Sequence, residues 1–175
     1  AQKTGSTGDL IFISIRHIYR VGMIEMVSER QDLVYRAEAV PGAAAPDYPA
    51  APDLGTPLAV QALRSDPVRL FRFSAITFNG HRIHYDADYA RDVEGYAGLL
   101  VHGPMQAFAM LNLAARILGQ CPRRFSYRGL SPLVCGEPAM VEAYGHDNDL
   151  TLRVVKPGGA VTMAGKASLQ SGPQT

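Results

Sequence analysis

The sequence predicts an α+β protein in which an antiparallel sheet wraps round one long central helix. Residues 105–118 (MQAFAMLNLAARIL) are apolar nearly all round, with Pro104 before them and Gly119 after them, which is typical of a buried helix. Several short segments with strand-like patterns follow and are separated by turn residues. Because such a helix must be covered on most sides, we expect the strands to form one sheet around it.

The composition is that of an ordinary globular protein. The chain has 175 residues, of which 47% are hydrophobic and 19% charged, and this is enough for one domain with a sizeable core. A net charge of +1 gives no reason to expect a general nucleic-acid or membrane-surface binder. Cys121 and Cys135 are expected to be free thiols, with a disulfide as the alternative. No signal segment or membrane-spanning run is recognised, so we expect a cytoplasmic protein.

The N-terminal part, residues 1–39, reads as a small group of strands. Residues 10–19 and 32–37 have strand-like patterns, with a turn near Gly22. Two strands alone cannot bury a core, so this part is expected to pair with something else. Residues 40–66, whose first part is rich in Pro and Ala, are predicted to be a linker.

The second unit is placed at residues 67–170. Residues 68–77 alternate roughly with period two and predict a strand, and residues 86–94 have helical character. The remaining strands are predicted after the central helix, at 125–130, 140–146, 150–155 and 160–169. The predicted order is therefore strand, helices, then an antiparallel meander.

Two polar islands interrupt this unit, each at the end of an apolar run. The first is NGHRIHYD at residues 79–86, and the second is VHGP at residues 101–104. Three of the five histidines fall in these islands, so the chemistry of the chain is expected there.

The paired islands resemble those of the MaoC-like, R-specific enoyl-thioester hydratases. That family has a D-x-N-P-x-H motif followed by V-H-G before a central helix, and FSAITFNGHRIHYD is most similar to its mesaconyl-C4-CoA hydratase and fungal-type 3-hydroxyacyl-thioester dehydratase branch. The resemblance covers residues 67–169. It implies a hot-dog fold and an enzyme that adds or removes water across the 2,3-double bond of an acyl thioester, either acyl-CoA or acyl-carrier protein. It also implies catalysis without a metal or redox cofactor.

Two other functions stay open at this point. A hot-dog thioesterase would release the free thiol, and a non-catalytic lobe would only bind the acyl thioester. Members of the family often carry two hot-dog repeats, and residues 8–37 resemble the last strands of a first repeat. The resemblance therefore implies a partial N-terminal unit and association as a homodimer or pseudo-dimer.

Three residues are candidates for catalysis. His84 is the predicted base, since imidazole titrates near neutral pH. Asn79 stands where the wider family has Asp, and its amide is expected to orient a water without accepting a proton; the alternative is a turn residue beside Gly80. The backbone N–H of Gly103, at the start of the central helix, is the predicted donor to the enolate oxygen.

Four further residues are assigned to substrate binding: Arg82, His81, Asp86 and His102. Arg82 is expected to hold a substrate carboxylate, with an exposed position or a contact to coenzyme A phosphates as alternatives. Asp86 could supply a carboxylate, although a helix cap is favoured, and His102 is expected to pack rather than react. His81, His84 and Asp86 are close enough in sequence to suggest a metal site, but no Cys or Glu completes the set and none is predicted.

Overall fold

The computed structural model of the chain describes residues 2–5, 8–36, 48 and 51–170. Two units make up the chain, Ala1–Ala43 and Ala44–Thr175. The predicted Pro/Ala-rich linker lies partly outside the described residues, at 40–47, 49 and 50, as does Ala37 at the end of the second predicted strand.

The N-terminal unit contains one antiparallel sheet of three strands. The strands are β1 (Gln2–Gly5), β2 (Gly8–Val21) and β3 (Ile24–Arg36), in the order β1-β2-β3. The turn predicted near Gly22 is confirmed, and the positive φ of 59° there suits a glycine. Both predicted strands are confirmed within β2 and β3.

This sheet leaves apolar side chains exposed on both faces. Ile13 and Val34, which lie on opposite faces, are 43% and 55% exposed. The sheet therefore buries no core of its own, as expected from its size. Its assignment as part of a first hot-dog repeat stays a prediction.

The second unit is built on a five-stranded antiparallel sheet with the order β4-β6-β7-β8-β5. Its strands are β4 (Ala59–Leu63), β5 (Arg124–Gly129), β6 (Ala139–His146), β7 (Asp149–Val155) and β8 (Val161–Ser168). The four strands predicted after the central helix are confirmed. The meander runs only through β6, β7 and β8, because β5 pairs with β8 at the edge opposite β4.

Strand β4 corrects the predicted extent of the linker. It lies inside residues 40–66 and pairs with β6, with Leu63 opposite Ala139 and buried in the core. The strand is only five residues long and follows a Pro/Ala-rich stretch, so its pattern was too short to stand out. The unit therefore includes residues before position 67.

The strand predicted at 68–77 is wrong, because these residues form helix α1 (Pro67–Thr77). Asp66 caps this helix by accepting a hydrogen bond from the Arg69 N–H at 2.9 Å, and Pro67 occupies its first turn. Leu70 and Ser74, four residues apart, form its buried face. The apolar residues of this segment alternate roughly with period two, but its buried residues follow the four-residue spacing of a helix.

Two further helices follow, α2 (Ala87–Asp92) and α3 (Gly103–Leu118), and both were predicted. α3 packs on the sheet through the buried Met110, Leu113 and Ala114. Phe108 is 54% exposed, so the sheet covers α3 on most sides and one side of the helix stays open. None of the helices in the described part of the chain is long and apolar enough to cross a membrane.

The contact between α3 and β8 depends on a glycine. A Cβ atom at Gly165 would lie 2.8 Å from the carbonyl oxygen of Ser126 and 3.2 Å from Met110 Cε. The first distance is shorter than real Cβ contacts, and the second is tighter than most. Only glycine therefore fits between the helix and the neighbouring strand at this point.

Candidate active site

The two polar islands lie against each other. The first island forms a loop and a short 3₁₀ turn, Arg82–His84, before α2, while the second precedes α3. The Leu100 N–H donates to the Ile83 carbonyl at 2.9 Å. The His84 ring returns a hydrogen bond from Nδ1 to the Leu100 carbonyl at 2.8 Å. These reciprocal bonds hold His84 at the start of the α3 segment.

The hydrogen bond to Leu100 fixes the proton on the His84 ring. A carbonyl oxygen can only accept, so Nδ1 donates, and the neutral ring carries its lone pair on Nε2. His84 is only 7% exposed. Burial is the main cause that lowers the pKa of His84; the bond to Leu100 opposes this and nearby His81 adds to it. The ring is therefore neutral near pH 7 and has the form of a base.

His102 lies flat against His84. The ring centroids are 3.7 Å apart and the planes differ by 18°. His102 has 0% exposure, its Nε2 lies 2.8 Å from Ser74 Oγ, and the Phe73 ring is 4.8 Å away. Burial, with a smaller effect of His84, lowers the pKa of His102 to about 4. The structure thus gives His102 a packed position in place of the predicted substrate contact.

Asn79 occupies the turn between α1 and the 3₁₀ segment. Its backbone N–H donates to the Ser74 carbonyl at 2.9 Å, and its side-chain Oδ1 accepts from the His81 N–H at 3.1 Å. This is an Asx turn, so the alternative interpretation of Asn79 as a turn residue is confirmed. The amide nitrogen of Asn79 makes no hydrogen bond with a described residue, which leaves its two N–H groups for a water.

A cleft of about 250 Å³ lies beside the first island. Phe78 forms part of its wall; its backbone is left-handed, with a φ of 53°, and its side chain is 96% exposed. Tyr85 braces the loop by donating from its hydroxyl to the Gly80 carbonyl at 2.8 Å. The lining is largely apolar and consists of Phe71, Ser74, Ala75, Phe78, Asn79, Gly80 and Tyr85. Such a cleft suits an apolar ligand segment.

Arg82 faces away from His84 and is held by two neighbours. Its Nε and Nη2 donate to Asp86 Oδ2 at 3.1 and 2.7 Å, and its guanidinium carbon lies 4.1 Å from the centroid of the Tyr89 ring. Nη1 makes no hydrogen bond within the described residues. The predicted contact of Arg82 with a substrate carboxylate stays a prediction, and both N–H groups of Nη1 are available for it.

Asp86 caps α2. Its Oδ1 accepts from the Tyr89 N–H at 3.0 Å, which together with the Arg82 hydrogen bond lowers the pKa of the Asp86 carboxyl. The favoured interpretation of Asp86 as a helix cap is confirmed. Its carboxylate is ionised but engaged, which makes it a poor candidate for a free base.

His81 and Gly103 are the remaining predicted residues. The His81 side chain is 54% exposed, with Nε2 4.0 Å from Glu94 Oε1, and its ring meets the His84 ring edge-on at 5.7 Å. Gly103 is the first residue of α3, where helix N–H groups lack a carbonyl one turn earlier. No group of three metal-ligating side chains converges in the described part of the chain, and this includes His81, His84 and Asp86.

Ser74 and Phe73 belong to the site but were not predicted. Both lie on α1, where the sequence pattern predicted a strand. The cap and proline at Asp66–Pro67 were the signal that could have revealed the helix. Reading Leu70 and Ser74 as one helical face would then have placed the Ser74 hydroxyl on the inner side of α1.

Comparisons with known proteins place this chain in a family. The profile of the family described as hydroxyacyl-thioester dehydratase type 2 matches residues 2–135. Mesaconyl-C(4)-CoA hydratase of Chloroflexus aurantiacus is 38% identical over 174 residues, which is 96% of this chain and 59% of that protein. The mitochondrial hydroxyacyl-thioester dehydratase type 2 of Schizosaccharomyces pombe is 36% identical over 78 residues, 43% of this chain and 26% of that protein. The chain thus spans about three-fifths or less of the length of these relatives.

Solved structures support the fold. HtdX from Mycobacterium tuberculosis has a TM-score of 0.73 at 21% identity, covering 97% of this chain and 66% of that one. A MaoC-like dehydratase from Phytophthora capsici also has a TM-score of 0.73, at 14% identity, covering 98% and 62%. The hot-dog fold is confirmed by these neighbours. With the sequence match extending from residue 2 to residue 135, the chain belongs to the hydroxyacyl-thioester dehydratase type 2 family.

Proposed function

We propose that this chain carries the site of a hydro-lyase that adds water to, or removes water from, the 2,3-double bond of an acyl thioester. The observation that carries the proposal is the orientation of His84, whose Nδ1 is held by the Leu100 carbonyl while Nε2 keeps its lone pair. Family membership supports the same reaction. The substrate class is an acyl-CoA or carrier thioester, of the mesaconyl-C4 or 3-hydroxyacyl type.

In the hydration direction His84 acts as the base. The water oxygen forms a bond to C3, its proton passes to His84 Nε2, and the π electrons of the double bond move onto the thioester oxygen. The imidazolium then returns a proton to C2, which restores the thioester and the neutral ring. Asn79 supports the first step by donating an amide N–H to the water oxygen, since its own Oδ1 is engaged in the turn.

The enolate oxygen needs a donor in the same site. The Gly103 N–H is the proposed group, because it lies at the N-terminus of a 16-residue helix, where unpaired N–H groups and the helix dipole favour negative charge. The apolar cleft beside Phe71 and Phe78 would take the acyl chain. Arg82 Nη1 would meet a carboxylate on substrates that carry one.

Association is part of the proposal. The N-terminal sheet exposes apolar side chains on both faces, and the relatives are longer than this chain. A homodimer or a pseudo-dimer of hot-dog units would cover such surfaces.

A paired assay tests this function. Crotonyl-CoA, a longer enoyl-CoA and mesaconyl-C4-CoA are incubated with the chain, and the conjugated thioester absorbance is followed alongside a thiol reagent. Loss of the absorbance without thiol release is the expected result. Thiol release would instead identify a thioesterase, and binding of the thioesters without either change would identify a non-catalytic lobe.

A further inference from the structure

Ser74, on helix α1, contacts both the loop at Asn79 and the His102 ring. Its Oγ lies 2.8 Å from His102 Nε2, and its backbone carbonyl accepts from the Asn79 N–H at 2.9 Å. His102 in turn stacks on His84 with centroids 3.7 Å apart. Helix α1, the loop at Asn79 and the stacked rings therefore share a single anchor.

The His102 ring is an unusual choice for simple packing. Its Nδ1 is the only buried side-chain nitrogen or oxygen in the described part of the chain that lacks a hydrogen-bond partner. A hydrophobic side chain would fill the place without leaving a polar atom unpaired. What the imidazole offers beyond volume is a flat face for His84 and a nitrogen for Ser74.

The unpaired nitrogen also indicates the tautomer. Buried N–H groups without an acceptor are rarer in proteins than acceptors with an unused lone pair, at least for the backbone. The proton of His102 is therefore assigned to Nε2, which donates to Ser74 Oγ, with the lone pair on Nδ1. This direction of the hydrogen bond keeps the ring plane fixed relative to α1.

We propose that His102 and Ser74 are positioning residues for His84. Ser74 holds the His102 ring, and that ring forms a wall which, together with the Leu100 carbonyl, leaves the His84 imidazole one orientation with Nε2 free. The inference rests on the proposed role of His84 as the base. It adds two residues that act through His84 and not on the reacting atoms; Ser74 also lines the cleft proposed for the acyl chain.

The stacked His102 ring also keeps the transferred proton on His84. Two imidazolium ions with centroids 3.7 Å apart would repel strongly, and His102 is the more deeply buried of the two. Few other ionisable groups lie near His84. The His81 ring meets it edge-on, with centroids 5.7 Å apart, and His81 Nε2 lies 4.0 Å from Glu94 Oε1. Arg82 and Asp86 form an ion pair with each other. A proton taken from water therefore stays on His84.

The test uses the full chain and imidazole nitrogen NMR, which needs no substrate. His84 signals are assigned with a His84→Gln variant, and the tautomer and titration midpoint are measured. In His102→Ala the Nδ1–H tautomer should give way to an averaged signal. The midpoint should rise towards the ordinary value by about half a pH unit or more, because water reaches the ring.

Two variants distinguish the proposed positioning of His84 by the His102 ring from a general loss of stability. His102→Phe restores a flat ring and should return the His84 tautomer, whereas Ser74→Ala should show a smaller shift in the same direction as His102→Ala. Ser131→Ala is the matched control, because it also removes a serine hydrogen bond, to the Val161 carbonyl at 2.9 Å, away from the rings. If His102→Ala does not fold, Ser74→Ala decides the question alone.

Kinetics provide the second readout. His102→Ala and Ser74→Ala should lower kcat by about tenfold with little change in KM, since a misplaced base costs rate rather than binding. His84 spectra that are the same in Ser74→Ala, His102→Ala and the unaltered chain would overturn the inference, and so would an equal shift in Ser131→Ala. A chain that shows the expected spectra but no hydration would refute the proposed function and leave the positioning intact.

Discussion

His84 and Arg82 stand two residues apart on one 3₁₀ turn, yet they face opposite environments. His84 points inward to the Leu100 carbonyl and the His102 ring and is 7% exposed. The Arg82 side chain is 55% exposed and is held by Asp86. Burial on the inner side lowers the pKa of His84. On the outer side the Arg82–Asp86 ion pair is exposed to solvent, where such pairs contribute little to stability.

In the proposed function, this short segment separates proton transfer by His84 from the recognition of a substrate carboxylate by Arg82. On the inner side, the contacts with Leu100 and His102 both constrain the His84 ring. A substitution there should therefore affect the rate of hydration. On the outer side the contacts close a helix end and hold one guanidinium. Changes there should affect stability or the choice of substrate.

The largest effect is expected for His84→Ala. Loss of a general base should lower kcat for hydration by about 10²–10⁴-fold. The measurement is the absorbance assay on the best substrate, with folding checked by circular dichroism. His146→Ala is the control, because His146 is the last residue of β6 and its side chain is 90% exposed. Activity that stays within about tenfold of the unaltered chain would show that His84 is not the base.

An intermediate effect is expected on stability in mild acid. The pKa of His102 is about 4 in the folded chain, against 6.5 ordinarily, and that of His84 is also lowered. The unfolded chain therefore binds more protons below about pH 6.5, so the free energy of unfolding should fall as the pH drops from 6.5 towards 4. Because an unfolded imidazole is half protonated at its ordinary pKa of 6.5, the two histidines should stop contributing to the slope only above about pH 7.5.

Urea unfolding at pH 7.5, 6 and 5 measures this loss. His102→Phe should show a shallower decline between pH 6.5 and 5, because one of the two titrating rings is gone. The range stays above the region where the lowered carboxyl groups of Asp86 and Glu142 titrate. Equal slopes for the two proteins would contradict the assignment of His102 as a ring kept neutral by burial.

The smallest effect is expected for Asp86→Ala. Losing the cap of α2 should lower Tm by about 2–4 °C and change kcat by less than about tenfold, since the carboxylate is engaged by Tyr89 and Arg82. Asp88→Ala, on the same helix, is the matched control, because Asp88 pairs with Arg91 and caps nothing. A loss of kcat as large as that of His84→Ala would move Asp86 into the catalytic machinery.

The sequence predicted where the two islands lie along the chain relative to α3, but it did not predict helix α1 beside them. His84, Asn79 and Gly103 were recognisable because the motif residues lie close together in the chain and keep their spacing from α3. The stacking of His102 on His84 was not predictable, since it depends on where two separate loops meet. The strand prediction at residues 68–77 failed because this segment mixes apolar and polar residues at a period that fits a strand and a helix alike. Only the cap at Asp66 and the proline after it distinguish the two.

Strand β4 was missed for a related reason. Its pairing with β6 gives it structure, and five residues carry too little pattern to show that in isolation. The N-terminal strands were predicted correctly, because their pattern is local. What covers the exposed apolar side chains of this sheet stays a prediction.

Gly165 has a consequence for the spacing of the strands at one edge of the sheet. A side chain at position 165 would press first on the Ser126 carbonyl oxygen of β5, 2.8 Å away, and then on the flexible end of Met110 in α3, 3.2 Å away. An alanine there would therefore force β5 away from β8 before it displaced the helix. The absence of one methyl group thus sets the distance between two strands and leaves room for the Met110 side chain that covers them.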